Sequence, residues 1–322
     1  MISRLQAFMI TCVVAFTSSA VAQGFPAKPL RLILPFPAGG SADVTARIIG
    51  ARVSESVAQP VVVENRVGAA GVIGSEAVAR SAPDGYTFMM TPSITHIGPL
   101  FLSKPPSYDP IKDFTPISAA AESVSALVII ASSPMSTVGE LVAEARRNPG
   151  KFSYSSAGVG SAFHLTGELF KQAAGADIVH VPYKGANQAL ADLLNGNITM
   201  TFSALGPLIP FAKAGKIKYV AVLQNARYAG LPNVPTVKET LPNFNRPDSW
   251  LGFFGPAGLP GPVLGRLNGE IVKAVSAPDV REKFDRDGLT PIGNTPAEFA
   301  ALLKTSIENY AQAIKVAGFK PE

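Results

Sequence analysis

A glycine-rich turn between an apolar strand and a helix occurs four times in this chain. The copies form two pairs far apart in sequence: LRLILPFPAGGSADVTARIIG (30–50) with VVVENRVGAAGVIGSEAVAR (61–80), then KFSYSSAGVGSAFHLTGELF (151–170) with IVHVPYKGANQALADLLNG (178–196). Glycine lets the backbone approach a bound group and adopt positive φ. The helix that follows presents unpaired N–H groups and the positive end of its dipole, which together attract an anion. Ser41 stands where it can cap the first of these helices, and Asp43 complements that helix's dipole. Arg66 and Lys184 are the cations beside the turns, each able to meet a ligand carboxylate or a protein carboxylate at the surface. Phosphate and nucleotide sites usually gather several cations, so so sparse a supply suits a carboxylate held by backbone amides. Two separated pairs of such turns suggest two lobes gripping one anion.

Other chemistries lack their residues. The first turn has no GxGxxG, the first pair has no GxxxxGK[ST], and Glu64 runs straight into Asn65, Arg66 and another glycine-rich loop, a poor setting for a ribose-binding acid. Gly71 and Gly74 have GxxG spacing, which is weak alone. His164 and Glu168, four apart on one helix, offer two metal ligands with no third at a recognisable spacing, and HExxH is missing. His180, in HVPY, fits a sheet or hinge role, whereas His96, in TPSITHIG, stands near a strand end from which it can face a cleft. Ser155, Ser156 and Ser161 are helix-capping types at a turn, and GVGSA is not GxSxG. Asp43 has no evident carboxylate partner for acid–base work. These observations point to no catalytic residue, no metal and no cofactor. The aromatic residues Phe36, Phe163, Tyr183 and Trp250 flank the turns and can line a pocket or the core.

The elements that must position the turns are short. Strands are expected at 30–35, 60–64, 87–90, 126–131, 152–155, 178–181, 198–203, 218–222 and 250–254; most alternate with helical patterns, which argues for βα units and largely parallel sheets. Helices are expected to begin near Ser41, Ala70, Ser136, Ser161, Ala186, Leu205, Val263, Pro278 and Pro296. The last is the best marked, with Thr295 as N-cap, Pro296 in the first turn and Glu298 completing a capping box. The apolar run 126–131 and the segment DSWLGFFGP (248–256) read as crossings between lobes. That divides the chain into a signal peptide (1–22), a discontinuous first lobe (23–126 plus 248–322) and an inserted second lobe (127–247). Arg4, the apolar stretch 7–16 and Ala20-Val21-Ala22 form the signal-peptide pattern. Cleavage after Ala22 removes the single cysteine, Cys12, and with it any disulfide or thiol chemistry. The 28 Lys and Arg against 23 Asp and Glu give a mild net charge of +5. The positives are scattered rather than clustered, which suits steering of a small anion and disfavours nucleic acid.

At these residues the chain resembles the periplasmic substrate-binding receptors of tripartite tricarboxylate transporters, the Bug receptors. PFPAGGSADVTAR, ENRVGAAGVIGSEAVARSAPDGYT, SYSSAGVGSAFHLTGELF and HVPYKGANQALADLLNGNI carry the likeness, with FAKAGKIKYVAV, LPNVPTVKET, SWLGFFGPAGLP and the TPAEF helix; their order spans nearly the whole mature chain. The resemblance implies an α/β, bilobed periplasmic-binding-protein fold of type II-like form: two lobes with central sheets flanked by helices, joined by two hinge crossings. It implies a monomeric, non-enzymatic receptor in the periplasm that binds a small mono-, di- or tricarboxylate and docks on the transporter's membrane components. The family's loop contacts, carried onto this chain, fall on Phe36, Ala38, Gly39, Ser41 and Asp43, and on Gly68, Ala69 and Ala70, with Thr91 and Ser93 nearby. From the other lobe come Ser156, Ala157, Gly158 and Ser161, then Tyr183, Lys184 and Gly185. Ser203 stands where many relatives carry Asp, which removes a partner for a ligand ammonium or a negative charge opposing a second carboxylate. Two alternatives stay open: a ligand-sensing adaptor for a membrane sensor, and an exported hydrolase built on a pair such as Ser161 with His164.

Overall fold

The computed structural model describes residues 24–101, 106–156, 158–159, 161–183 and 186–318. The signal-peptide pattern and Cys12 lie outside the described residues. Eleven described strands form two sheets, one of order β11-β4-β10-β3-β1-β2 and one of order β7-β6-β8-β5-β9. The first contains β1 (Leu30–Leu34), β2 (Val61–Asn65), β3 (Thr87–Pro92), β4 (Phe114–Ser123), β10 (Trp250–Pro256) and β11 (Leu289–Pro291). The second contains β5 (Ser125–Ile130), β6 (Phe152–Ser156), β7 (Ile178–Pro182), β8 (Met200–Ala204) and β9 (Ile217–Val222).

Period-two alternation sorts each strand's side chains between two cores. On β1, Leu32 and Leu34 pack against α1 (Ser41–Val57) and α9 (Gly261–Ser276), while Ile33 faces a core that spans both sheets. On β10 the same split sends Phe253 one way and Phe254 the other. On β5, Leu127 and Ile129 enter the spanning core, while Ala126 and Val128 join Leu193, Leu205 and Val222 beneath the second sheet. The long helix α11 (Pro296–Val316) closes the spanning core with Phe299, Leu303, Tyr310 and Ala313, and Trp250 Nε1 donates to Ser306 Oγ at 2.9 Å. Its start is the expected capping box: Thr295 Oγ1 accepts from the Glu298 N–H at 3.3 Å and Glu298 accepts from the Thr295 N–H at 2.9 Å.

The chain passes between the sheets twice. Buried Val124 alone separates β4 from β5, and residues 223–249 lead from β9 back to β10. Gln224 ties the two crossings together: its Oε1 accepts from the Ser125 N–H at 3.2 Å and its Nε2 donates to the Ser123 carbonyl at 3.0 Å. The expectation of largely parallel sheets holds for the pairs of β1 with β2 and β3, and of β6 with β7 and β8. It fails at the crossings, because a strand returning directly from the other sheet enters in the opposite sense. Thus β10 lies antiparallel to β3 and β4, and β5 antiparallel to β8 and β9. The sequence reading also misses β4, whose FTPISAAAES lacks the usual β-branched density. Its small buried residues Ser118, Ala119, Ala120 and Ala121 instead let α9 and α11 pack close.

Candidate ligand-binding cleft

All four glycine-rich turns lie at the carboxyl ends of parallel strands: β1 and β2 in the first sheet, β6 and β7 in the second. Open α/β sheets bind ligands at that edge. In the first turn, α1 begins at Ser41, but its N-cap is Gly40, in extended conformation and without a side-chain cap. The expected cap at Ser41 is therefore one residue late. The tie comes from Asp43 instead. Its Oδ2 accepts from the Gly39 N–H (3.1 Å) and Arg47 Nε (3.0 Å), and its Oδ1 from Arg47 Nη2 (3.1 Å) and Asn65 Nδ2 (2.9 Å). Asn65 Nδ2 also donates to the Phe36 carbonyl at 3.1 Å, so the end of β2 grips both sides of the PFPAGG loop. The Arg47 guanidinium, with Asn65 and the Gly39 N–H, outweighs burial and holds the Asp43 carboxyl down at about 2. Asp43 is buried and its oxygens are engaged, so it positions the turn. No heavy atom lies within 4 Å of where a side chain would start at Gly39 or Gly40.

The second turn holds Gly68 (φ +138°) and Ala69 (φ +45°), then a short 3-10 helix, Ala69–Gly71, that leads into α2 (Val72–Ala79). Gly71 (φ +97°) and Gly74 account for the GxxG spacing by packing. A Cβ on Gly71 would collide with Thr95 and lie 3.2 Å from the Pro35 carbonyl oxygen; one on Gly74 would lie 2.8 Å from the Arg66 carbonyl oxygen. Arg66 itself reaches Glu64, which also holds Arg31 across the β1–β2 pair. Thr91 and Ser93 are buried at the end of β3, where α3 (Ser93–Ile97) begins. Ser93 Oγ donates to the Asp248 carbonyl at 2.9 Å, tying β3 to the second crossing. Pro35, Phe36, Pro37, Val67, Gly68 and Gly71 form one side of an open depression of about 420 Å³; Ile94, Thr95, Gly98 and Pro99 form the other.

Among the described residues, the second sheet builds its turn without ion pairs. Ser156 Oγ accepts from the Gly158 N–H (3.1 Å), donates to the Gly158 carbonyl (3.0 Å) and lies 2.7 Å from His180 Nε2. Ser161 is the N-cap of α5 (Ala162–Ala174), its Oγ accepting from the His164 N–H at 3.3 Å. The Tyr183 N–H donates to the Ser156 carbonyl at 3.0 Å, which joins this turn to the next. Tyr183 Oη donates to Asp192 on α6 (Ala186–Leu194) at 2.6 Å, and burial with that bond pushes its hydroxyl up to about 12. Ser203 is buried on β8. Ala157, Lys184 and Gly185 lie outside the described residues.

The histidines take other places than a metal or cleft role would give them. His96 is buried, not cleft-facing: it stacks on Phe254 at 4.1 Å and bonds the Pro110 carbonyl at 2.9 Å, and burial holds it down at about 4. His180 lies between Tyr154 and His164, with ring centroids 4.9 and 3.8 Å away. Burial and then His164 hold it down at about 4. Glu168 accepts from Tyr154 Oη at 2.7 Å and pairs with Lys171, and among the described residues no group of three acidic, His or Cys side chains could hold a metal. Sequence reasoning gave His180 a sheet or hinge role but did not assign a turn-holding role to it, to Asn65 or to Arg47. The four-residue Asp43–Arg47 spacing was the local signal for Arg47.

Two glycine-rich turns at each sheet's carboxyl edge, with the chain crossing twice between sheets, define a solute-binding receptor fold. The family model described as tripartite tricarboxylate transporter family receptor matches residues 45–319, and the chain belongs to that family. It is 38% identical over 303 residues to the UPF0065 protein in the tcbD-tcbE intergenic region of Pseudomonas sp. strain P51, covering 92% of this chain and 90% of that one. It is 33% identical over 316 residues to Protein BugT of Bordetella pertussis, covering 97% and 96%. Among solved structures, R. palustris Rpa4515 with adipate superposes with a TM-score of 0.80 at 32% identity, covering 92% of this chain and 100% of that one. No described helix is long and apolar enough to cross a membrane.

Proposed function

We propose that this chain is an exported, non-catalytic receptor that captures a small organic carboxylate and delivers it to the membrane components of a tripartite tricarboxylate-type transporter. The observation that carries this is the placing of two amide-rich turns at the carboxyl edge of each sheet, the first clamped by the Asp43–Asn65–Arg47 network and open at Gly39 and Gly40. The adipate bound to R. palustris Rpa4515 supports a carboxylate as the ligand class. Residues 23–126 with 248–322 form one lobe and 127–247 the other, and the ligand lies between them. Backbone groups of Phe36, Ala38, Gly39, Ser41, Gly68, Ala69 and Ala70 approach it from one side. Ser156, Ala157, Gly158, Ser161, Tyr183, Lys184 and Gly185 approach from the other, while Asp43, Thr91, Ser93 and Ser203 shape the site from beneath. Bridging waters preserve hydrogen bonds while tolerating ligands of different length. The closed form must bind the ligand better than the open form, or no closure follows.

One observation favours a catalytic reading, the 2.7 Å contact of Ser156 Oγ with His180 Nε2. The hydroxyl is already committed to Gly158, and an imidazole held down at about 4 is a weak base at neutral pH. Calorimetric titration of the mature chain from Gln23 with mono-, di- and tricarboxylates tests the receptor reading. Saturable one-to-one binding without product, abolished by Gly40→Trp in folded protein, is expected. Gly40 suits this substitution better than Gly39 because its φ is −78° rather than +89°. Product formation, or binding untouched by Gly40→Trp, would contradict it.

A further inference from the structure

We infer that the ligand's far end is apolar: the receptor takes a monocarboxylate carrying an alkyl or aryl body in preference to a dicarboxylate of the same length. This rests on the receptor reading above and concerns the same site. The depression of about 420 Å³ at the carboxyl ends of β1, β2 and β3 is walled by Pro35, Phe36, Pro37, Val67, Ile94 and Pro99, with Thr95 and three glycines between them, and no charged side chain among the described residues lines it. Among the described residues the cations nearest the depression are already engaged. Arg47 is bound by Asp43 and Asn65, and Arg31 and Arg66 share Glu64. A second carboxylate pressed against this wall would lose its water and, at Pro35, Pro37 and Pro99, meet no backbone N–H in exchange, nor a countercharge among the described residues, which is costly. An apolar body there gains instead, by roughly fourfold in affinity for each methylene removed from water.

Exposed apolar side chains edge the turns of both sheets. Val67 and Ile73 on the first sheet's side and Val159 on the second's are each more than half exposed. Isolated exposed apolar residues are ordinary, but Val67 and Val159 sit on turns assigned to the ligand and Ile73 on the first turn of α2, where closure over an apolar body would cover them.

The test is calorimetry on the mature wild-type chain with straight-chain monocarboxylates from four to eight carbons, benzoate, and the α,ω-dicarboxylates of matching length. Affinity is expected to rise by roughly fourfold per added methylene until the pocket is filled. Each dicarboxylate is expected to bind at least about tenfold more weakly than its monocarboxylate partner. Ile94→Asp in folded protein should flatten that slope. Equal or tighter binding of dicarboxylates, or a flat slope in the wild type, would overturn the inference while leaving the receptor reading intact. No binding of any carboxylate by folded, ligand-free protein would overturn both.

Discussion

The first turn of each sheet reaches the same end, a glycine-rich loop before a helix N-terminus, by different chemistry. Between β1 and α1 the loop is clamped by a buried carboxylate that engages Gly39, Arg47 and Asn65. Between β6 and α5 the clamp is neutral: a serine hydroxyl, an imidazole and the Ser161 cap. The charged clamp is strong and insensitive to pH across the physiological range, because Asp43 stays ionised down to about 2. The neutral clamp contains His180, which burial and then His164 hold uncharged down to about 4. Backbone geometry is therefore shared, while the sensitivities of the two sides are separable.

Substitutions can break this comparison in order of size. Gly71→Ala should destabilise the fold by about 3 kcal/mol, since it combines positive φ with collision against Thr95. Gly158→Ala should cost only about 1 kcal/mol, because its φ of +116° is strained but the nearest atom lies 3.6 Å away. Urea unfolding of both variants measures the difference, and equal losses would mean that the first sheet's turns are not the more tightly packed. Asp43→Ala should cost about 2 kcal/mol and lower carboxylate affinity by at least about tenfold, because it frees the Gly39 N–H and releases the Asn65 amide that also holds the Phe36 carbonyl. Ser156→Ala should cost about 1 kcal/mol and weaken binding less.

A separate handle on the comparison is the response to pH. His180 and His96 have folded values near 4 against 6.5 in the free side chain, so the unfolded chain takes up protons first. Their contribution is complete above about pH 6.5, declines as the pH falls towards 4 and levels off below. Asp43 adds its own loss only from about pH 3.8 downwards. Replacing His180 with Gln should flatten part of the decline between pH 6.5 and 4 in a series of thermal melts. An unchanged profile would remove His180 from the account.

Much of the fold is legible in the sequence because strand and helix periods are clean around the turns. The capping box at Thr295 and the cap at Ser161 follow from local residue types alone. What escapes is set by distant partners. The small residues of β4 become a strand only because β10 and β11 flank them and helices pack closely over them. His96 reads as a cleft residue until Phe254 and Pro110 enclose it. Likewise, nothing local ties Asn65 to Phe36, because that bond joins the end of one strand to the loop after another.

The central claim is that both turns engage one carboxylate together. Hydrogen exchange of backbone amides, followed while titrating the mature chain with a carboxylate that binds it, tests this most directly. Protection should rise in the segments 36–43 and 156–161 with a single shared midpoint. Protection in one segment alone, or in neither, would contradict a ligand held between the two sheets.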